Sequence, residues 1–180
     1  PGLTAGNAVE IAESVEVLAG GGPADVVELT VALAREMLAA AGKGDVDPAE
    51  KLASGEAMDV WKRMIAAQGG DPDAALPTPK ETHAVNAPSS GTLTRLDAMA
   101  VGVAAWRLGA GRSRPGEQVQ AAAGVVMHAK PGDTVTEGQP LMTLHTDTPE
   151  RFERAIAALE GGYDIGTDNV EAASVVIDRV

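Results

Sequence analysis

The three histidines, His83, His128 and His145, are the residues of this sequence that are best suited to metal binding or proton transfer. The latter two fall on neighbouring predicted strands, so two neutral imidazoles could ligate one metal ion. No third ligand stands at the spacing of a metal site. We therefore interpret the histidines as structural or surface residues. The sequence has no cysteine, which excludes disulfides, thiolate metal sites and cysteine nucleophiles.

Two other clusters of chemically versatile residues have simpler interpretations. Gly20–Gly22 could cradle a phosphate, but it lacks the preceding strand and the spacing of a nucleotide-binding loop. A corner that ends a helix is expected there instead. Asp97 with Arg95 and Arg112 could form a charged site, and we interpret them as a helix cap and surface ion pairs.

The elements that must position these residues begin with two helices around the glycine corner. The first helix has an apolar stripe at helical spacing, formed by Ala8, Ile11, Val15 and Leu18. Pro23 is expected at the first position of the second helix, where its missing N–H is not needed. This second helix is apolar on nearly every side as far as Leu38. Such a helix requires packing partners on several sides.

The rest of the first half is also predicted to be helical. A short helix opens at Pro48, and a longer one runs from Gly55 to Gln68 with Ser54 as its cap. Ala57, Trp61, Met64 and Ile65 lie on one face of the longer helix. Glycines end this helix, and the proline-rich residues 71–80 read as a linker.

The second half of the sequence changes to strands and turns. Residues 81–87 and 92–96 predict a strand and its returning strand around a turn at 88–91. Asp97 caps a helix whose recurring apolar residues are Met99, Val103 and Trp106. Further strands are predicted at 124–129, Val135 and 140–146 (a β-meander) and at 163–165 and 174–180. Between them, a helix beginning at Thr148 buries Phe152, Ile156 and Leu159.

These elements predict the α+β fold class, with a helical segment (residues 1–75) followed by a small α+β domain (residues 76–180). The net charge of −12 divides into −8 for residues 1–76, from 5 basic and 13 acidic residues, and −4 for residues 77–180, from 9 basic and 13 acidic residues. This acidity speaks against nucleic acid or an anionic membrane as a partner. No apolar run reaches the roughly 18 residues of a membrane span. We expect a cytoplasmic protein whose sequence, starting at Pro1 without a signal-like region, begins within a longer chain.

Four segments, in order, resemble the thymidine and pyrimidine-nucleoside phosphorylases. They are GNAVEIAESVEVLAGGGPADVVELTVALAREML, SGEAMDVWKRMIAAQGGDP, APSSGTLTRLDAMAVGVAAWRLGAGR and GVVMHAKPGDTVTEGQPLMTLHT. Members of this family are more than twice as long, and the resemblance covers their C-terminal part. It implies that residues 1–75 belong to the family's α/β domain and that residues 76–180 form its C-terminal α+β domain, with a barrel-sandwich-like β-meander.

The resemblance implies a transferase of nucleoside salvage in its full-length form. The family carries out the reversible phosphorolysis of thymidine or uridine, with phosphate as co-substrate, to the free base and a (deoxy)ribose 1-phosphate. Its members are homodimers. The Lys-His-Ser phosphate loop and the Arg, Ser and Lys that hold the pyrimidine precede the part that this sequence matches, so no catalytic or substrate-binding residue is expected here. We predict that the 180-residue chain alone is inactive.

One family site is implied to reach into this sequence. Some members bind a potassium ion through two backbone carbonyls just before the GN pair and a Glu on the following helix. These ligands match Glu13, the carbonyl of Thr4 and that of Pro1, where Pro1 replaces the usual Leu. The alternative interpretation of Glu13 is an exposed helix carboxylate.

A different functional class, a carrier or binding module, is suggested by residues around Lys130. NAPSSGTL followed by KPGDTVTEGQPLMTLHT resembles the strand-and-turn pattern of biotinyl and lipoyl domains, which carry their group on a Lys at an exposed hairpin tip. Lys130 precedes a turn rather than occupying such a tip, so a shared β substructure is the preferred explanation. We also expect the apolar second helix to promote self-association when the upstream residues that pack against it are missing.

Overall fold

A computed structural model describes residues 2–168, Val170 and residues 174–178. Their contacts group them into two compact units. The helical unit holds Gly2, residues 12–75 and residues 174–178, and the mixed unit holds residues 3–11, 76–168 and Val170. No helix in these described ranges is long and apolar enough to cross a membrane.

Four α-helices account for the first part of the chain: α1 (Ala8–Leu18), α2 (Ala24–Ala40), α3 (Pro48–Ala53) and α4 (Glu56–Ala67). The glycine corner after α1 ends that helix as expected, with backbone bonds from Gly20 N to Val17 O and from Gly21 N to Glu16 O. The predicted stripe of α1 is wrong in one position, because Ile11 is 44% exposed and Val17 is buried instead. Val17 is buried because it packs against the turning backbone at Gly22.

The caps of the next helices also differ from the prediction. Pro23 is extended (ψ 130°), so it precedes α2 as its N-cap rather than being its first helical residue. The N-cap of α4 is Gly55 rather than the predicted Ser54. Gly55 has a left-handed backbone (φ 83°), which a serine at this position would adopt only with strain. On the apolar face of α4, Met64 is 46% exposed. Asp47 caps α3 by accepting a hydrogen bond from the N–H of Ala49 at 3.0 Å.

The helix α2 contains no fully buried residue. Leu33 is 55% exposed and Met37 is 66% exposed, and on α4 Val60 is 56% exposed. The expectation that the described chain does not wrap this apolar helix is therefore confirmed.

The mixed unit contains two antiparallel sheets and no closed barrel within its described residues. The strands are β1 (Thr4–Gly6), β2 (Glu81–Asn86), β3 (Gly91–Leu96), β4 (Gly124–Met127), β5 (Thr134–Val135), β6 (Pro140–Thr146) and β7 (Tyr163–Gly166). One sheet has the order β1-β4-β6-β2 and the other the order β5-β3-β7. The helices α5 (Ala98–Ala105) and α6 (Arg151–Leu159) and a π-helical turn (Trp106–Ala110) complete the unit, which is α+β as predicted.

The strand positions were predicted well, but their pairing was not. β2 pairs with β6, whereas β3 pairs with β5 and β7 in the other sheet, so the predicted return of β3 alongside β2 is wrong. The meander is wrong as well, because β4 pairs directly with β6 and β5 lies in the second sheet. Residues 174–178 form no strand, and the last two residues of that predicted strand lie outside the described residues.

The core of the mixed unit lies between the sheets and α5 and α6. Its largest fully buried side chains are Leu93, Leu108, Leu141, Met142, Leu144, Val125 and Val135. The predicted contacts of α6 are confirmed, with Leu159 buried and Phe152 and Ile156 packed against the core. The apolar repeat of α5 does not coincide with its buried face: Val101, Ala104 and Ala105 are buried, while Met99 is 73% exposed. The small side chains allow α5 to pack closely. Because α5 is apolar on every side, its sequence periodicity does not indicate which face is buried.

Candidate functional site

The beginning of the chain holds the residues that were predicted to bind potassium. Pro1 lies outside the described residues. In the helical unit, the Glu13 carboxylate lies beside the buried Gly2, so closely that a Cβ on Gly2 would be 2.5 Å from Glu13 Oε2. Asp25 brings a second carboxylate there and accepts a hydrogen bond from the Gly2 N–H at 3.2 Å. Two carboxylates therefore lie next to one buried backbone segment.

The sequence analysis missed Asp25. Asp25 lies in the first turn of α2, where negative charge suits the positive end of the helix dipole, and its other oxygen accepts from the N–H of Val26 at 3.0 Å. The reach of Asp25 to Gly2, 23 residues away in the chain, is a tertiary contact. Nothing in the local sequence signals such a contact.

Thr4 lies in the mixed unit, on β1 at the edge of the four-stranded sheet. Leu3 O accepts from Met127 N, and Asn7 N donates to Ala123 O. Because bonded and non-bonded positions alternate along antiparallel strands, Thr4 occupies a non-bonded position opposite Val126. Its carbonyl is therefore directed to the open edge of the sheet.

The GN pair, Gly6-Asn7, has a structural role that the sequence analysis did not assign. Gly6 has φ +153°, and a Cβ there would lie 2.6 Å from both Ala123 O and Gly124 Cα. The Asn7 side-chain amide donates to Ala110 O at 2.9 Å and to Gln120 O at 3.1 Å. Both residues thus fix the start of α1, which belongs to the mixed unit.

Gln120 and Thr146 continue this polar network into the core of the mixed unit. The Gln120 side-chain oxygen accepts from Asp147 N at 2.7 Å, and its amide donates to Thr148 Oγ1 at 2.8 Å. Thr146 is fully buried, and its hydroxyl lies 2.8 Å from Leu108 O and 2.9 Å from Gln120 Oε1. Such a satisfied network favours one arrangement of the π-helical turn and β6.

The histidines form no metal centre, since no group of three or more His, Cys, Asp or Glu side chains that could hold a metal occurs among the described residues. His128 Nε2 lies 2.7 Å from Thr143 Oγ1, and the His83 ring contacts Phe152 at 5.5 Å. Burial, and secondarily the charge of His128, lower the pKa of His145. Its Nδ1 is buried without a hydrogen-bond partner within the described chain.

Asp97 and Arg95 have the simple roles that were expected, whereas Arg112 forms no ion pair among the described residues. Asp97 caps α5 by accepting from Met99 N at 2.8 Å, and Arg95 pairs with Asp164 at 2.7 Å. Arg112 lies apart from them and donates to Glu117 O. Lys130 is half-buried at the start of its turn, and its N–H donates to Asp133 Oδ2 at 2.8 Å. This is not the exposed hairpin tip that a carrier lysine occupies.

One family of known proteins matches part of the mixed unit. Residues 92–166 match the family described as "Pyrimidine nucleoside phosphorylase C-terminal domain", which covers β3 through β7. This part of the chain is therefore a domain of the pyrimidine nucleoside phosphorylase type.

Nearly the whole chain is similar to named members of that class. It is 54% identical over 179 residues to the thymidine phosphorylase of Mycobacterium tuberculosis (strain CDC 1551 / Oshkosh), covering 99% of this chain and 42% of that protein. It is 34% identical over 178 residues to the pyrimidine-nucleoside phosphorylase of Bacillus subtilis (strain 168), covering 93% of this chain and 41% of the relative. The resemblance predicted from the four sequence segments is confirmed, and the chain spans about two fifths of the length of these relatives.

Proposed function

We propose that this chain is the C-terminal part of a pyrimidine-nucleoside phosphorylase that converts thymidine or uridine and phosphate to the free base and a (deoxy)ribose 1-phosphate. The observation that carries the proposal is the 54% identity to a thymidine phosphorylase along 99% of the chain. The apolar face of α2 that this chain leaves uncovered supports it, because a helix of this composition needs further packing partners.

In this proposal the chain supports chemistry that upstream residues perform. Phosphorolysis requires groups that position phosphate and stabilise charge on the departing base. The described residues hold buried hydrogen-bond networks and helix caps. The test is to incubate the purified 180-residue chain with thymidine and phosphate and to quantify thymine. We expect no release above the uncatalysed rate, and turnover by the chain alone would refute the proposed division of labour.

The positive arm of this test uses the longer polypeptide encoded with its upstream sequence. We expect that sequence to contain a Lys-His-Ser loop, and the longer polypeptide to release thymine only when phosphate is present. The absence of such a loop upstream would contradict the proposal. We further propose that the longer protein acts in the cytoplasm as a homodimer, which fractionation and sedimentation analysis of that protein would test.

We also propose that the longer protein binds potassium through the Glu13 carboxylate and the carbonyls of Thr4 and Pro1, with further ligands from upstream. The edge position of Thr4 and the carboxylates around Gly2 support this assignment. Exchange of KCl for choline chloride should lower the thermal unfolding temperature of the longer protein, and Glu13→Gln should abolish the difference. An equal effect of potassium on the variant would contradict the site.

The carrier function has less support, because Lys130 is half-buried at a turn. Mass spectrometry of the protein from its native source tests it directly. We expect an unmodified Lys130 peptide, and a biotinyl or lipoyl adduct would instead establish the carrier function.

A further inference from the structure

Three arginines of the mixed unit converge where the π-helical turn packs against α6. The guanidinium group of Arg154 donates to the carbonyl of Arg107 from Nε at 3.0 Å and from Nη2 at 2.7 Å. A third N–H, from Arg151 Nη1, points to the same oxygen at 3.5 Å. The guanidinium group of Arg107 in turn donates to the carbonyl of Arg154 at 2.7 Å. Two backbone carbonyls therefore hold three positive charges together, and we call these residues the arginine cluster.

The arginine cluster has no carboxylate partner among the described residues. The ion pairs found there within 4.0 Å involve other basic residues, and they do not include Glu150 or Glu153, which are next to the cluster in the sequence. Arg107 and Arg151 are half-buried. Like charges that are close together repel each other, and the repulsion is stronger where water screens them less. The cluster is therefore a concentrated positive charge on a chain whose net charge is −12.

Glu117 is a carboxylate near the cluster, but it is bound within its own loop. The Ser113 N–H first, and then the charges of Arg114 and Arg151, lower the pKa of Glu117. Its Oε2 accepts a hydrogen bond from the Ser113 N–H at 2.8 Å, and neither arginine forms an ion pair with it within 4.0 Å in the described chain. Glu117 thus leaves the charge of the arginine cluster largely uncompensated.

Helix capping accounts for only one of the three guanidinium groups. Arg107 lies in the π-helical turn, near a helix end, where carbonyls lack helical partners. A carbonyl oxygen has two lone pairs, and the two bonds from Arg154 already use them. The contact from Arg151 to this oxygen is long for a hydrogen bond. These contacts position the guanidinium groups but use only some of the five N–H donors that each one carries.

We propose that the arginine cluster binds a phosphate dianion, either as inorganic phosphate or as the phosphate group of a small metabolite. A phosphate group carries up to two negative charges and three strong acceptor oxygens. It can therefore accept from more than one guanidinium group and offset more of their charge than a single carboxylate can. Arginines that the backbone already holds also lose less side-chain entropy on binding.

The acidity of the chain selects a small ligand. A net charge of −12 repels a nucleic acid, whose binding rests on many phosphate contacts, whereas one phosphate group needs only the local positive charge. This site goes beyond the proposed function, because the reacting phosphate is there bound by the upstream Lys-His-Ser loop. It is a second phosphate site, formed by the mixed unit itself.

Isothermal titration calorimetry of the 180-residue chain tests the site without the upstream loop. The probes are inorganic phosphate, thymidine 5′-monophosphate and thymidine, at constant ionic strength and about 50 mM NaCl to limit screening. We expect one site per chain for both phosphate-containing probes and no binding of thymidine. Equal affinities of the two would identify the phosphate group alone as the ligand. A nucleotide affinity at least tenfold higher would show that the rest of the metabolite adds contacts.

Variants locate the binding. Arg107→Gln and Arg151→Gln should each weaken phosphate binding about tenfold or more. Arg151 makes only the 3.5 Å contact, so its substitution should leave the fold intact, which circular dichroism checks. The matched control is Arg95→Gln, which changes the net charge equally but removes an arginine that is already paired with Asp164 at 2.7 Å. This control should bind phosphate like the parent chain.

Two results would overturn the site. One is a parent chain that binds neither phosphate-containing probe, or that binds thymidine as tightly as its monophosphate. The other is binding that Arg151→Gln and Arg107→Gln leave at the affinity of the Arg95→Gln control. Neither result bears on the proposed phosphorolysis, which is measured as thymine release by the longer protein.

Discussion

Replacing Thr146 by valine tests how much the buried polar network stabilises the mixed unit. Thr146 is 0% exposed, and its hydroxyl lies 2.8 Å from Leu108 O. It also accepts a hydrogen bond from Thr148 N at 3.2 Å. Valine has nearly the same shape as threonine, so the substitution removes hydrogen bonds without creating a cavity.

The expected loss follows from the two partners that valine leaves behind. Leu108 O and Thr148 N would each lose a buried partner at a cost of about 1.5 kcal/mol. The methyl group that replaces the hydroxyl returns about 1 kcal/mol of hydrophobic stabilisation. Gln120 Oε1 keeps its bond from Asp147 N at 2.7 Å and adds little to the loss. The free energy of unfolding should therefore fall by about 2 kcal/mol.

Urea unfolding followed by tryptophan fluorescence measures this change in the right unit. A Trp61→Phe background leaves Trp106, in the π-helical turn, as the reporter. Thr143→Val is the matched control: its hydroxyl contacts the exposed His128, so it should cost less than about 0.5 kcal/mol. Equal losses for the two variants, or no loss for Thr146→Val, would refute the importance of the network.

Three further predictions concern other parts of the chain. Gly6→Ala should destabilise the protein by about 2–3 kcal/mol, because Gly6 has a φ of +153° and an added Cβ would lie 2.6 Å from Ala123 O. Gly102→Ala should stabilise it by about 0.5–1 kcal/mol, because a Cβ there meets no atom within 4 Å. Thermal unfolding of both variants measures these changes. Because the pKa of His145 is lowered in the folded protein, the unfolded state binds its proton first as the pH falls below about 6.5, and the free energy of unfolding should decrease there. In His145→Gln, the free energy of unfolding should depend less on pH between about pH 5 and 7.5. An unchanged pH dependence would contradict the assignment to His145. Leu33→Lys and Met37→Lys on α2 should reduce binding of a hydrophobic dye, and a parent chain that binds no dye would show that this face is not an adhesive surface.

Local patterns predicted which residues form each element, because turn residues and apolar periodicity act within a few positions. The β2 and β3 strands were predicted within one residue at each end. Their partners were not, because pairing is decided by contacts with β6 and β7, about 60 to 70 residues away. The outward turn of Met99 has a similar cause. α5 is apolar on all sides, and only its close packing against α6 and the sheet selects the small face.

The candidate site shows the same division between local and tertiary information. Glu13 and Thr4 could be assigned only through the resemblance, since a carboxylate on a helix and a carbonyl on a strand carry no local signature. The resemblance did not indicate Asp25 either, because its hydrogen bond from Gly2 N depends on how α2 folds back towards the start of the chain. Buried acceptors such as Gln120 and Thr146 were also missed. A polar residue that is satisfied in a core looks in the sequence like one on the surface.

The Gly6-Asn7 pair has a structural role in the mixed unit. In the structure, Asn7 uses both side-chain N–H groups on the carbonyls of Ala110 and Gln120, and the backbone of Gly6 passes against Gly124. An amide with both donors engaged has none left for a substrate. The segment that most strongly marks the resemblance therefore holds the start of α1 in place, and its neighbour Thr4 presents a carbonyl at an open sheet edge. The hydrogen bonds of Asn7 and the close approach of Gly6 to Gly124 therefore make this pair a structural element of the mixed unit.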